Sequence, residues 1–586
     1  MLAALPQSSP VDASAEPSTA MKAPRADEGL VRFPGIFGGV LDDYKRRLPW
    51  MGSDFADALT RKTISSALFM FFATFASTVA LGVVIKRNTK CGDVEFFTDC
   101  PEGGSYLGVT EYLLVNSLAG MLHALLGCQP LLVLRPTGPI TAFVSLLFNV
   151  SKSLELPFLP FLACTGIFVG LYMTFIAAFE LSRFIKLLTR FLHDIFAFFV
   201  CSIYVVDGIT GVQGRFGDLV PTASAAEDKS MASALFAGVL TVVLLAVAFW
   251  LHRQDRSSLF SKQINLYLVD YALTIATCVV IICSYLSDKI FVERIELPAV
   301  TGVAMDTTLP GRAWHTAIGS ASSSVVAGAA ISAIPIVIFF FFDQNVSSLL
   351  CQKKEMNLRK GSYFHSSFLW MGLFNMVFPS FGLPFVTGSL PHSPQLVRAL
   401  EDERTDEQGR SRSFVWENRV SPFFMYFLIG AALWFPFGRA AIEAIPDAAV
   451  DGILIFVGIA GLFETQLWAR IWLLCTQQRF FPKALFARGS TSKMHRFTFI
   501  QIAALGFAWL LNGLAMGNPN LSPLGLCFPL IIMLLVPFRI VVLPRYFSQE
   551  ELSLLDNDID DAAPASASAI HGDDAANTVP LLSGSA

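Results

Sequence analysis

Two interruptions of apolar sequence hold the residues that could do chemistry. They are Thr137-Gly138-Pro139, and Thr387-Gly388-Ser389 followed by Pro391, His392 and Pro394. Gly and Pro break helices, and a membrane tolerates irregular backbone only where protein buries it or where it lines a cavity. Pro139 and Pro391 suit the first turn of a helix that resumes after the break, where proline loses no hydrogen bond, and Ser389 suits the N-cap. A helix that starts in mid-membrane presents free N–H groups and about half a positive charge, a ready seat for an anion. Two such starts facing one space would bind a small anion; two merely kinked spans are the plainer alternative.

Three ionisable residues stand near these breaks. Asp343 ends the phenylalanine run 339–342. A carboxylate beside hydrocarbon is costly, so it is either a functional group or a solvated helix end. As a functional group it would take up a proton or a sodium ion when the anion binds. His392 either donates to the anion or is a neutral polar residue packed in a crevice. Arg135 is either an extra positive charge near the site or the partner of a carboxylate such as Asp343. Glu111 and His123 are expected to make polar contacts between helices.

The elements that must position these residues are membrane spans. The chain has 586 residues, 54% hydrophobic and 15% charged, including 53 Phe, with a mean hydropathy of +0.56. A soluble chain of this length would carry about a quarter charged residues. Runs such as 63–85, 231–251 and 316–342 contain no Asp, Glu, Lys or Arg and meet the roughly 20-residue length of a membrane helix. Spans are expected at 62–86, 108–127, 137–150 (short), 157–180, 194–212, 231–251 and 267–288. The second half gives 315–350, 364–384, 389–400 (short), 420–438, 447–467, 496–514 and 524–543. The fold class is therefore all-α polytopic membrane protein with about fourteen segments. The breaks lie 250 residues apart, and the halves open 253 apart, at Thr63 and Thr316. Broken segments at matching places in two halves signal an inverted-repeat transporter.

Basic loops around Arg253, Lys353, Lys360 and Lys493 fall on one side, which the positive-inside rule makes cytoplasmic, together with both termini. The plasma membrane is the expected location. Residues 1–32 and the acidic 549–586 are expected to be disordered, with 33–61 a cytoplasmic lead-in. No basic region precedes an apolar one at the start, so the first span is expected to serve as its own signal. Residues 182–193 place Arg183, Lys186, Arg190 and His193 on one face, the pattern of an interfacial amphipathic helix. Of ten Cys, most sit in apolar runs without ligand spacing. Cys91 and Cys100 share a polar loop and either bond, if that loop faces outside, or stay free. Metal motifs, phosphate loops and catalytic triads are missing from the sequence, so neither an enzyme nor a cofactor nor a nucleic-acid partner is expected.

The chain resembles the bicarbonate transporter family, which includes the band 3 anion exchanger and the borate exporters. The resemblance is carried by GCQPLLVLRPTGP (127–139), FFDQNVSSLL (341–350), QKKEMNLRKGSYFH (352–365), GLPFVTGSLPHSP (382–394), ENRVS (417–421), KMHRFTFIQI (493–502) and the stretch 536–558. It implies a seven-plus-seven inverted repeat and a homodimer. A core domain (62–181 and 315–438) would move against a gate domain (182–290 and 439–548). It implies borate or bicarbonate as substrate, coupled to a proton or sodium ion. The anion-binding residues it implies are Thr137, Gly138, Gly388, Ser389 and His392, with Asp343 coupling. LPHSP resembles the borate exporters, which have Gln where band 3 has Arg at the place of His392. Two other departures are Arg135, where relatives usually have Gly, and Ser77, where they tend to have Pro. A non-transporting scaffold, a proton or hydroxide conductance, and a nucleobase or sulfate carrier are the alternative readings.

Overall fold

The structure is a computed structural model. It describes residues 30–556, apart from 92–99, 102, 188, 218–230, 255–256, 287–289, 302–303, 406–410, 482–485, 487–488 and 518–521. The expectations for residues 1–29 and 557–586 lie outside the described residues.

Two short helices, α1 (Gly38–Arg47) and α2 (Met51–Ala56), lead into α3 (Arg61–Asn88) and α4 (Val109–Leu126). Strand β1 (Leu134–Arg135) then precedes α5 (Gly138–Ser153), followed by α6 (Phe158–Ala178), α7 (Arg190–Gly217) and α8 (Met231–His252). The first half closes with α9 (Lys262–Asp270) and α10 (Ala272–Ser284), and a hairpin of β2 (Val300–Thr301) and β3 (Ala304–Met305) links the halves. The second half repeats the order with α11 (Ser323–Cys351), α12 (His365–Val377), strand β4 (Thr387–Gly388) and α13 (His392–Ala399). A hairpin of β5 (Glu401–Thr405) and β6 (Ser411–Val415) leads to α14 (Val420–Trp434), α15 (Pro436–Glu443), α16 (Asp447–Glu464) and α17 (Gln466–Leu474). Last come α18 (Thr491–Gly517), α19 (Ser522–Gly525), α20 (Phe528–Pro537), α21 (Leu543–Tyr546) and α22 (Gln549–Leu555).

Among the described residues, eight helices are long and apolar enough to cross a membrane, counting α20 and α21 as one. Three bent pairs qualify when each is taken as one span: α9 with α10 at 67°, α14 with α15 at 80°, and α16 with α17 at 78°. The shorter α5, α12 and α13 complete the fourteen segments, with α5 third and α13 tenth. The chain is an all-α polytopic membrane protein. The bends have local causes: Phe435 is extended ahead of Pro436, and extended Thr465 restarts the chain by accepting from Trp468 N–H.

Packing divides the helices into two groups. In one, α3, α4 and α14 pack together, and α6 packs on α11 and α12; in the other, α16 packs on α7 and α8, and α8 on α10. Phenylalanines join the groups behind the breaks. Phe143 on α5 lies 5.0 Å from Phe339 on α11 and 5.2 Å from Phe528 on α20, and Phe528 lies 4.7 Å from Phe199 on α7.

Four expectations need correction. The second half was expected to open near Thr316, but a 3-10 turn at Ile318–Ser320 precedes α11, whose N-cap is Ser322. The amphipathic helix over 182–193 is not one element. Leu181–Leu187 is a 3-10 segment and α7 begins at Arg190, so His193 belongs to the span. The C-terminal stretch is ordered at its start: Ser548 and Glu551 form a capping box on α22, and Asp556 accepts from Phe191 N–H at 2.7 Å. Leu30 is likewise buried rather than disordered, because the lead-in docks. The Glu180 carboxylate accepts from Phe33 N–H and Gly39 N–H at 2.9 and 2.7 Å.

Candidate anion site

The two breaks meet. Leu134 pairs with Gly388 and Arg135 with Thr387 as an antiparallel bridge. Ser389 N–H donates to Val133 O at 2.8 Å, and Val133 N–H donates to Ser393 Oγ at 3.1 Å. Residues 252 and 254 apart in sequence thus share one piece of sheet, and the half-helices α5 and α13 start from its two strands.

Each break is held by side chains from neighbouring helices. Tyr426 on α14 donates to Leu134 O at 2.9 Å, and Tyr112 on α4 donates to Thr141 on α5 at 3.0 Å. Asn375 on α12 brackets Val386, donating to its carbonyl at 2.9 Å and accepting its N–H at 2.8 Å. Gln344 on α11 accepts from Gly388 N–H at 2.7 Å. Gly388 must be glycine for a steric reason: a Cβ there would lie 2.7 Å from Gln344 Oε1 and 2.9 Å from Ser347 Cβ.

The second half-helix departs from expectation at its start. Its first helical residue is His392, with Pro391 at the N-cap, and Ser389 does not cap it. The Ser389 hydroxyl is instead paired with His392 Nδ1 at 2.8 Å.

Arg135 is the central charge. It is buried, at 2% exposure, and its guanidinium stays protonated in proteins. Nη2 donates to Ser77 Oγ at 2.9 Å, Nε to Pro136 O at 3.2 Å, and Nη1 to His392 Nε2 at 3.3 Å. Among the described residues it makes no ion pair with a carboxylate, so the alternative in which Asp343 neutralises it does not hold. Three of its five N–H donors are engaged. One N–H on each terminal nitrogen remains, the fork that fits two oxygens of an oxyanion. The contact also fixes His392: arginine can only donate, so Nε2 accepts and the hydrogen of a neutral ring sits on Nδ1, directed at Ser389 Oγ. The Ser389 hydroxyl hydrogen is thereby left to be donated onward.

Asp343 lies in the interior of α11, eight residues before its end, and is 4% exposed. It is therefore not a solvated helix end. Its Oδ2 has the Thr387 side chain as its polar neighbour but no hydrogen bond of good geometry, and Thr137 Oγ1, Gln344 Nε2 and Ser347 Oγ have no partner among the described residues. Buried polar atoms without partners are uncommon in folded proteins, and here they come from the two breaks and the α11 turn beside them.

Gly138 N–H, the first donor of α5, is taken by Tyr204 Oη at 2.6 Å. Tyr204, Tyr426 and Gln344 were not picked out as site residues from the sequence, and Ser77 was noted only as a departure from relatives. A tyrosine or glutamine in an apolar run carries no local mark of what it touches. The remaining candidates lie elsewhere. Cys91 and Cys100 are joined as a disulfide with Cα atoms 6.0 Å apart. His123 contacts Ser367 across α4 and α12 at 3.1 Å. Glu111 caps its own helix and holds the inter-half loop, accepting from Thr308 N–H at 2.8 Å and pairing with Arg312 at 3.4 Å.

The profile described as "HCO3- transporter integral membrane domain" matches residues 35–227 and 214–560, spanning both breaks. The chain belongs to the HCO3- transporter family. Anion exchange protein 3 of Mus musculus is 26% identical over 570 residues, covering 92% of this chain and 44% of that protein. Band 3 anion transport protein of Rattus norvegicus is 26% identical over 548 residues, covering 91% of this chain and 56% of that protein. The chain thus spans about half the length of these curated relatives. In fold it is similar to the transmembrane domain of a cyanobacterium bicarbonate transporter, BicA, with a TM-score of 0.50 and 13% identity over 81% of this chain and 97% of that one.

Proposed function

We propose that this chain is a secondary carrier of a small inorganic oxyanion, borate or bicarbonate, bound between the N-termini of α5 and α13. The observation that carries the reading is Arg135, a buried cation without a carboxylate partner among the described residues, hydrogen-bonded to both breaks and to α3. Burying such a charge is costly unless something neutralises it. An oxyanion on the free fork of Arg135, with the Ser389 hydroxyl and the backbone of the breaks as further donors, supplies that neutralisation. Thr137 and Gly138 contribute from one side; Gly388, Ser389 and His392 contribute from the other.

Asp343 is the coupling residue in this reading. A carboxylate buried near a bound anion repels it unless it carries a proton or a sodium ion, so the two would travel together. The first helix group is the core and the second the gate of an alternating-access carrier. The carrier works as a homodimer in the plasma membrane with both termini in the cytoplasm. Its place among the borate exporters rests on the LPHSP stretch.

Uptake into proteoliposomes tests this, with boric acid/borate and bicarbonate offered separately and sodium present or absent. Saturable flux of one of them is expected, and Asp343→Asn should abolish its ion dependence. A protein that moves neither above the level of protein-free vesicles would contradict the proposal.

A further inference from the structure

Tyr204 occupies the first donor of α5. Its Oη accepts the N–H of Gly138 at 2.6 Å. The ring lies so close to the half-helix that a Cβ on Gly138 would be 2.3 Å from Tyr204 Cζ. Arg135 and Asp343 are its charged neighbours. Beside it, the Thr137 hydroxyl is buried and has no partner among the described residues. Tyr204 is carried by α7, which packs most extensively on α16, in the other helix group.

We propose that Tyr204 is a tethered competitor for the anion: its hydroxyl oxygen holds the first N–H of α5 and must yield it before the anion seats. The inference rests on the anion-site reading above. A charged oxygen forms a hydrogen bond roughly twice as strong as a neutral one. An oxyanion therefore displaces the phenol, whereas an uncharged acid gains little by the exchange. The tether selects the ionised form of the substrate. It also joins binding to movement, because releasing Gly138 breaks a bond between α5, which packs on α3 and α6 of the first group, and α7 of the second.

The test is uptake kinetics of Tyr204→Phe in proteoliposomes, with borate and bicarbonate at fixed pH. Removing a competing hydrogen bond should lower KM roughly two- to tenfold. The maximal rate should not rise with it, since the ring and its packing remain. A structural role alone would leave KM where it is. Tyr204→Leu, which also removes the oxygen, is the second variant and is read the same way. Retention of both variants as folded protein on size exclusion accompanies the kinetics. An unchanged or raised KM in a transporting variant overturns the tether. Wild-type protein that moves no anion, or an Arg135→Gln variant that transports normally, overturns instead the reading on which the tether rests.

Discussion

At the scale of residues, the account turns on one charge and two glycines. Arg135 holds its position with three donors and keeps two for the proposed anion. Lysine keeps the charge but has no planar fork. Arg135→Lys should therefore retain transport with KM raised by about tenfold or more, as one good bidentate pair is lost. Uptake kinetics measure it, and an unchanged KM would mean that charge alone suffices. Gly388→Ala would set a Cβ 2.7 Å from Gln344 Oε1 and 2.9 Å from Ser347 Cβ, opening the bond that holds the second break to α11. Transport should fall to background in protein that still inserts; normal uptake would show that the break tolerates the shift. The glycines and prolines were legible because their effect is local: they interrupt a helix wherever they stand. The role of Arg135 was left open by the sequence, since its partners Ser77 and His392 are 58 and 257 residues away. Tyr204 was silent for the same reason.

Elements position the site through the docked lead-in. Asp43 on α1 is fully buried and accepts from Ser366 N–H at the start of α12 at 2.8 Å, with Arg46 pairing at 3.0 Å. Burial pushes its carboxyl up to about 7, against the pull of Ser366 and Arg46. The sign follows from linkage: a carboxyl raised in the folded state favours folding in its protonated form. Docking of α1 is therefore firmest below about 3.8, and this stability is lost progressively as pH rises from there to about 7. Hydrogen exchange at Gly38–Arg47 should quicken across that pH range beyond its intrinsic trend. Asp43→Asn should flatten the change, and a wild-type profile in that variant would exclude Asp43 as its source. Helix order and number were legible from apolar runs and their breaks. The bends at Tyr271 and Thr465 were not, because these residues disrupt helices by backbone conformation that their identities do not announce; the bend at Phe435 is marked by Pro436, which falls inside one continuous expected span. The 182–193 pattern misled because a charged face reads the same in a 3-10 segment as in an amphipathic helix.

For the whole molecule, the question is what holds the two helix groups together and what lets them part. At the end bearing the Cys91–Cys100 loop, Arg87 of α3 pairs with Asp447 and Asp451 of α16 at 2.5 and 2.7 Å. Arg215 of α7 reaches the same two carboxylates at 3.3 and 2.5 Å. The Asp451 side chain is fully buried, so removing its charge leaves two guanidinium groups sharing the one carboxylate of Asp447. Asp451→Asn should loosen that end, seen as a broader distance distribution between spin labels on α3 and α16. A distribution unchanged from wild type would show that the ion pairs do not hold the groups. Transport and stability are best read together in Arg135→Gln. Its charge has no carboxylate partner among the described residues, so neutralising it leaves no orphaned opposite charge behind. The account predicts that Arg135→Gln loses borate and bicarbonate uptake into proteoliposomes while its Tm stays level or rises. Uptake at the wild-type rate, or loss of uptake only together with a fallen Tm, would contradict it.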